Sequence, residues 1–234
     1  VLSSKRDSFI SDWDRLHCEK HVINLITNIN PIIKNHFDNI CLIDIGANVG
    51  KVYDLLKQHI NIDEVYMFEP NGNLYRYLIK KYKDNINTHI YHSAVFSENR
   101  SIYFDESSMD YQIDHLNKSD EINFGLSKIS NDKTSNVVNG IKISTFFQEN
   151  NHLYNKKCFI KIDTETFDYQ ILEDLYSVIT NFIYKPIIEF ENNYYCLGNS
   201  LTWAQSVIDK YVDIGYKEIT VQRNMGDGIL EPLL

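Results

Sequence analysis

Apolar residues recur near the helical repeat at Ile10, Trp13, Leu16, Val22, Ile26, Ile29 and Ile33, so residues 8 to 37 are expected to be helical, broken by Pro31. The pattern then turns to short apolar runs. "CLIDI" at 41 to 45 suits a buried strand, "KVYDLLKQHI" a helix, and "EVYMFEP" at 64 to 70 a second strand closed by a proline. "GNLYRYLIKKYKDN" predicts the next helix and "THIYHSAVF", 88 to 96, a third strand. "RSIYF", 100 to 104, reads as a short strand, but residues 105 to 140 are polar and without sustained period, the mark of a lid or insertion. Alternation resumes with strands at 140 to 145, 158 to 163, 185 to 192 and 216 to 222, separated by helices near 167 to 182 and 200 to 213. Strand and helix alternating at these spacings predict an α/β, doubly wound, mostly parallel sheet with helices on both faces and a ligand beyond the strands' C-terminal ends.

Composition narrows the picture. The 234 residues, 43% of them hydrophobic, are enough for one sizeable core, and without repeat or linker the reading is a single domain over 1 to 234, with an N-terminal helical segment over 1 to 40. No run approaches the ~18 apolar residues of a membrane span, and the first residues lack the apolar centre of a signal peptide, so a cytoplasmic location is expected. The chain opens on Val1 rather than methionine, which fits excision from a longer protein. Cys18, Cys41, Cys158 and Cys196 are widely spaced, which favours free thiols over a metal-thiolate site. A formal charge of -9 disfavours a large nucleic-acid partner.

Candidate chemistry begins after the first strand. Asp44, Gly46 and Gly50 form D-x-G-x-x-x-G, with Ala47 and Asn48 where a dinucleotide fingerprint needs its middle glycine. A cofactor without phosphate is therefore favoured, and S-adenosyl-L-methionine meets that description. Asp44 or a nearby carbonyl can meet its amine, Gly46 lets the backbone pass close, and amides near the next helix can meet its carboxylate. Nineteen residues past Gly50, Glu69 precedes Pro70 at the end of the second strand, where a carboxylate can accept both ribose hydroxyls.

"IDIGANVG", "VYMFEP", "HSAVFSENRSIYF", "ISTFFQEN" and "FIKIDTETFDYQILEDL" resemble, in order and spacing, the successive motifs of the FkbM family of S-adenosylmethionine-dependent O-methyltransferases, from about residue 41 to 192. The resemblance implies a seven-stranded Rossmann-like methyltransferase sheet and S-adenosyl-L-homocysteine as product. It also implies a cofactor loop of Asp44, Gly46, Asn48 and Gly50, a ribose contact at Glu69, and Ser93, Ala94 and Val95 bordering the adenine. The family pattern resembles K-I-D-V-E-G, whereas this chain has Lys161, Ile162, Asp163, Thr164, Glu165 and Thr166.

Methyl transfer from a sulfonium is an in-line displacement, requiring the acceptor atom about 3 Å from the methyl carbon and a group to take its proton. Lys161, Asp163 and Glu165 alternate with Ile160 and Ile162 and are expected on one strand face, with Asp163 as proton acceptor. Lys161 either neutralises an alkoxide or pairs with a carboxylate. On the next strand Glu189 and Glu191 share a face, and Glu191, Asn192 and Asn193 are expected to overhang the same cleft. Acidic and amide groups suit a polyhydroxylated acceptor, hence a sugar hydroxyl of a glycan or glycosylated metabolite. Asp163, Glu191 and Asn192 are also hard oxygen donors, so a divalent cation is an alternative, though not the expectation. His92 and His115 fall near the cleft and the insertion, while His17 and His21 fit surface or core. Trp13, Tyr111 and Trp203 could stack on a sugar or on adenine, though packing suits all three better. Two other readings stay open: methylation of an RNA ribose 2'-hydroxyl and a noncatalytic adenosyl-binding module. Oligomeric state has no signal in the sequence.

Overall fold

The computed structural model describes residues 19–105, 128–130, 136–164, 167–192, 201–220 and 226–233. The chain runs α1 (Glu19–His36), β1 (Asn39–Ile45), α2 (Lys51–Leu56), β2 (Asn61–Phe68), α3 (Gly72–Lys81), β3 (Thr88–Tyr91), β4 (Ser93–Val95), β5 (Arg100–Asp105), β6 (Lys128–Ser130) and β7 (Asn136–Ile141). It continues through α4 (Ile143–Glu149), β8 (Cys158–Ile162), α5 (Asp168–Tyr176), β9 (Ile187–Asn192), α6 (Leu201–Asp213), β10 (Tyr216–Thr220) and β11 (Gly226–Pro232). Seven strands form the main sheet in the order β10-β11-β9-β8-β1-β2-β3, and β4-β7-β5-β6 form a second. In the main sheet β1 runs parallel to β2 and β8, and β9 to β8, whereas β11 is antiparallel to both β9 and β10.

The central strands are apolar on both faces because helices cover both. Cys41, Ile43 and Ile45 of β1, with Ile160, Ile162, Ile188 and Phe190, pack against Ile171, Leu172 and Leu175 of α5, Ala204 and Val207 of α6, and Phe146 and Phe147 of α4. Ile40, Leu42, Phe159 and Ile187 face the other way, onto Leu25, Ile26, Ile29 and Ile33 of α1 and Val52, Tyr53 and Leu56 of α2. From β1 the chain builds outward through β2 and β3, then returns to place β8 on the other side. That reversal makes the C-terminal ends of β1 and β8 the topological switch point, the place where open α/β sheets bind ligands.

Several sequence expectations change here. Pro31 does not break α1, which continues to His36. Its ring lies on the exposed face while Ile29 and Ile33 are fully buried, so packing holds the helix through the missing backbone donor. The strand expected over 88 to 96 divides at His92: β3 pairs with β2, and β4 pairs with β7 in the other sheet. The strand expected over 140 to 145 ends at Ile141, and α4 begins at Ile143, where Ile143, Phe146 and Phe147 fall at helical spacing on the buried face. Part of the expected insertion is sheet, since β6 and β7 both pair with β5. The helix expected over 167 to 182 is shorter, with a 3-10 turn at Ile179–Asn181. Strand β11 has no counterpart in the sequence reading.

Among the described residues no helix is long and apolar enough to cross a membrane. The helical pattern at Ile10, Trp13 and Leu16, together with His17, lies outside the described residues.

Candidate active site

The turn after β1 is shaped by two glycines and an asparagine at positive φ: Gly46 at 76°, Asn48 at 51° and Gly50 at 75°. A Cβ on Gly46 would lie 1.9 Å from the Asp163 carbonyl oxygen, so this position admits no side chain because the loop rests on the exit of β8. At Gly50 a Cβ would meet the Tyr82 hydroxyl, which donates to the Gly50 carbonyl at 2.9 Å. Both glycines are therefore required by packing within the protein. The loop amides are largely committed as well. Gly46 and Ala47 donate to the Phe68 carbonyl, each at 3.0 Å, and Gly50 to that of Ala47 at 2.8 Å.

The fourth of these amides couples the loop to the next strand. Asn48 N–H donates to one oxygen of Glu69 at 2.8 Å, and Asn71 N–H donates to the other, also at 2.8 Å. Asn71 in turn caps α3, its side chain accepting from the amides of Asn73 and Leu74. Glu69 is thus held between two elements, with further lone pairs on each oxygen. Burial pushes its carboxyl up to about 7, against the opposing pull of the Asn71 and Asn48 amides. Beside it, the Pro70 carbonyl lies 3.0 Å from His92 Nε2, and the His92 ring stacks on Tyr75. Ser93, Ala94 and Val95 follow as β4, all buried, with Ala94 and Val95 contributing to apolar packing.

Beneath the loop lies a charged row. Register places Asp44 beside Lys161 and Lys161 beside Glu189, on adjacent strands β1, β8 and β9. Lys161 Nζ donates to the Gly46 carbonyl at 2.8 Å and lies 3.4 Å from Asp44 Oδ1 and 3.2 Å from Asp163 Oδ2. Its side chain is 5% exposed, Asp44's 0% and Asp163's 40%. Although burial works against its charge, Asp163, Asp44 and Glu189 hold the Lys161 ammonium above the usual lysine range. Burial raises the Asp44 carboxyl against the pull of Lys161, and neither Asp44 oxygen accepts a hydrogen bond.

One residue further along the strands comes a second row. Glu191 is opposite Asp227 of β11, and continuing the β8–β9 register by one residue brings Asp163 beside Glu191. Burial, followed by the charges of Asp163 and Asp227, pushes Glu191 up to about 7. Asp168, at the start of α5, accepts from the Thr164 hydroxyl at 2.9 Å and lies 3.4 Å from the backbone N–H groups of Thr164 and Glu191. Burial, then the charge of Asp163, raises its carboxyl to about 8.

These shifts carry a sign for stability. Glu69, Glu191 and Asp168 hold their protons more tightly folded than unfolded. Each contribution is fully present below the unfolded pKa, near 4 to 4.5, and is lost as pH rises through the folded value near 7 to 8. The melting temperature should therefore fall between pH 5 and pH 8, as thermal unfolding across that range would measure. A flat or rising profile would contradict these assignments.

Of the residues expected in the site, Asp44, Gly46, Ala47, Asn48, Gly50, Glu69, Pro70, Lys161, Asp163 and Glu191 gather around the C-terminal ends of β1, β2, β8 and β9. Tyr111, His115, Glu165 and Asn193 lie outside the described residues, as does the Asn192 side chain at the end of β9. Trp203 is committed to packing: its indole donates to Glu173 and its ring sits against Tyr169. Sequence reasoning left Asp168 and Asp227 out of the site and gave Glu189 no role. The spacing of Asp168 from Asp163 could have flagged it, whereas Asp227 comes near only through the pairing of β9 with β11. Among the described residues no group of three or more His, Cys, Asp or Glu is arranged to hold a metal ion.

Residues 44–201 match the methyltransferase FkbM domain family. Among solved structures, methyltransferase FkbM from Methylobacillus flagellatus is similar at 14% identity and a TM-score of 0.51, over 82% of this chain and 44% of that one. This chain thus spans less than half the length of that relative. A putative S-adenosyl-L-methionine-dependent methyltransferase from Methanococcus maripaludis is 11% identical over 97% of this chain and 92% of that one, at a TM-score of 0.46. A putative caffeoyl-CoA O-methyltransferase from Staphylococcus aureus is 13% identical over 89% and 83% of the two chains, also at 0.46. No curated protein matches the chain.

Proposed function

The chain belongs to the FkbM methyltransferase domain family, and from that premise we propose that it is an S-adenosyl-L-methionine-dependent O-methyltransferase acting on a sugar hydroxyl. The observation that carries the cofactor reading is Glu69. A buried carboxylate fixed by two backbone amides, one from the glycine loop and one from the cap of α3, is oriented to accept a vicinal diol without further ordering. Asp44, whose oxygens accept no hydrogen bond, supplies negative charge toward a cationic amine. Ala47, Gly50 and Pro70 shape the walls, with Ser93, Ala94 and Val95 beside the base. When bound, S-adenosyl-L-methionine supplies an electrophilic methyl group.

The chain's own contribution is to position the acceptor and take its proton. Asp163 is a partly exposed carboxylate, 3.2 Å from the Lys161 ammonium, and acts as the proton acceptor at the acceptor oxygen. Lys161 anchors Asp163 and the Gly46 carbonyl together, so it positions the base against the loop. Glu191, with Asn192 and Asn193 beyond it, offers hydrogen-bonding groups for neighbouring hydroxyls. Glu165 is a second carboxylate within two residues of the base. Tyr111 and His115, from the polar stretch between β5 and β6, are assigned to the acceptor side.

Labelled-methyl transfer tests this reading. With labelled S-adenosyl-L-methionine and a panel of oligosaccharides, glycosylated metabolites and capped RNA, label should enter a sugar hydroxyl of the carbohydrates and leave the RNA untouched. Transfer to RNA ribose alone would overturn the acceptor assignment. Absence of transfer to any acceptor, with the cofactor bound, would overturn the enzymatic one.

A further inference from the structure

The distribution of charge on the acceptor face goes beyond a neutral sugar. Asp163, Glu191 and Asp227 occupy one row across β8, β9 and β11, with Asp44, Lys161 and Glu189 in the row beneath. Among the described residues, Asp44, Asp163, Glu189 and Glu191 all feel the charge of the Lys161 ammonium. Lys161 leans toward β1, its Nζ bound to the Gly46 carbonyl and close to Asp44 and Asp163. Its charge also pulls on Glu189 and Glu191 of β9, though more weakly than burial works against them. There Glu189 is 2% exposed, yet its Oε2 has no hydrogen-bond partner, and Glu191 Oε2 also lacks one. A buried carboxylate oxygen without a donor costs more than the same oxygen in water, so a cationic donor arriving there gains what the fold leaves unmade.

We propose that Glu189 and Glu191 form a subsite for a protonated primary amine on the acceptor, so that the preferred substrate is an amino sugar with a free amine near the hydroxyl that is methylated. Residues i and i+2 of one strand stand about 6.6 Å apart. Both side chains project to the same face of β9, so an ammonium with three N–H donors can address both carboxyl groups. Glu191 reaches the amine directly, and Glu189 beneath, whose carboxyl burial and the charge of Asp227 raise well above the usual range, ionises as the ammonium arrives. The inference rests on this face being the acceptor site.

The test needs no methyl transfer. D-glucosamine, N-acetyl-D-glucosamine and D-glucose are titrated separately by NMR into the whole chain at pH 7 and low ionic strength. Glucosamine should bind at least about tenfold more tightly than either neutral sugar, the worth of one charge-assisted hydrogen bond, and added salt should shrink the difference. Glu189→Gln and Glu191→Gln should each reduce the preference. Glu189→Gln replaces a buried carboxyl by an amide of nearly the same volume, so it should fold. Equal binding of the three sugars, undetectable binding of glucosamine, or a preference that survives both substitutions would overturn the proposal. Methyl transfer to neutral sugars without an amine preference would leave the proposed function standing and this subsite refuted. An amine preference without any methyl transfer would do the reverse.

Discussion

Lys161→Met should lower the stability of the fold by about 3–5 kcal/mol, the usual cost of stripping one partner from a buried ion pair. Lys161 is 5% exposed, and its ammonium is the only cation bonded to the charged row that includes Asp44, Asp163 and Glu189 among the described residues. Methionine fills much of the space but leaves Asp44 fully buried with no counter-charge, and the Gly46 carbonyl loses its 2.8 Å donor. For a chain of this size the melting temperature should drop by about 10 °C. Adding Asp44→Asn should recover part of the loss by removing the orphaned charge, an interaction readable in a double-mutant cycle. If the single substitution moves the denaturation midpoint by less than about 1 kcal/mol, Lys161 is not what holds the loop to β8.

Asp163→Asn should cut methyl transfer by about 10²–10⁴-fold, the range for loss of a general base, while the dissociation constant for S-adenosyl-L-homocysteine stays within about twofold. Asparagine keeps the shape and can still accept from Lys161, but it cannot take a proton. The Asp163 side chain is 40% exposed, and its backbone carbonyl is the atom against which Gly46 packs. The readout is the split between kcat and cofactor affinity in labelled-methyl kinetics. A variant retaining full kcat would remove Asp163 from the chemistry, and one that lost cofactor affinity instead would make its role structural.

The parts of the fold legible in the sequence are those whose signals are local. The strand "CLIDI" and the acid ending "MFEP" are short apolar runs closed by a turn residue, and they fall where β1 and β2 end. The segment "ISTFFQE" misleads because β-branched and aromatic residues favour strands, while the buried positions Ile143, Phe146 and Phe147 follow a helical period too short to stand out. Pro31 misleads in the opposite direction, because a helix with its apolar stripe anchored at Ile29 and Ile33 tolerates one missing hydrogen bond.

The site shows the same division. That Lys161 and Asp163 share a face follows from strand alternation alone. That Lys161 answers to Asp44, 117 positions away, follows from the register of β1 with β8, which no local pattern encodes. Gly46 was readable as a position without a side chain, but the reason differs: it is the carbonyl of Asp163, not a ligand, that a Cβ would strike. Asp227 is hidden most deeply, since both β11 and its pairing with β9 arise from tertiary contact.

The most direct test of the account is calorimetric titration of S-adenosyl-L-homocysteine into the wild-type chain and into Glu69→Ala, with NAD as competitor. The account predicts one site on the wild type, unaffected by NAD, and an affinity at least about a hundredfold lower in the variant, as loss of two charge-assisted hydrogen bonds implies. Below pH 7 the wild-type affinity should fall about tenfold per unit, because the diol needs the ionised form of a carboxyl that titrates near 7. Displacement by NAD, or equal affinity in the two proteins, would contradict it.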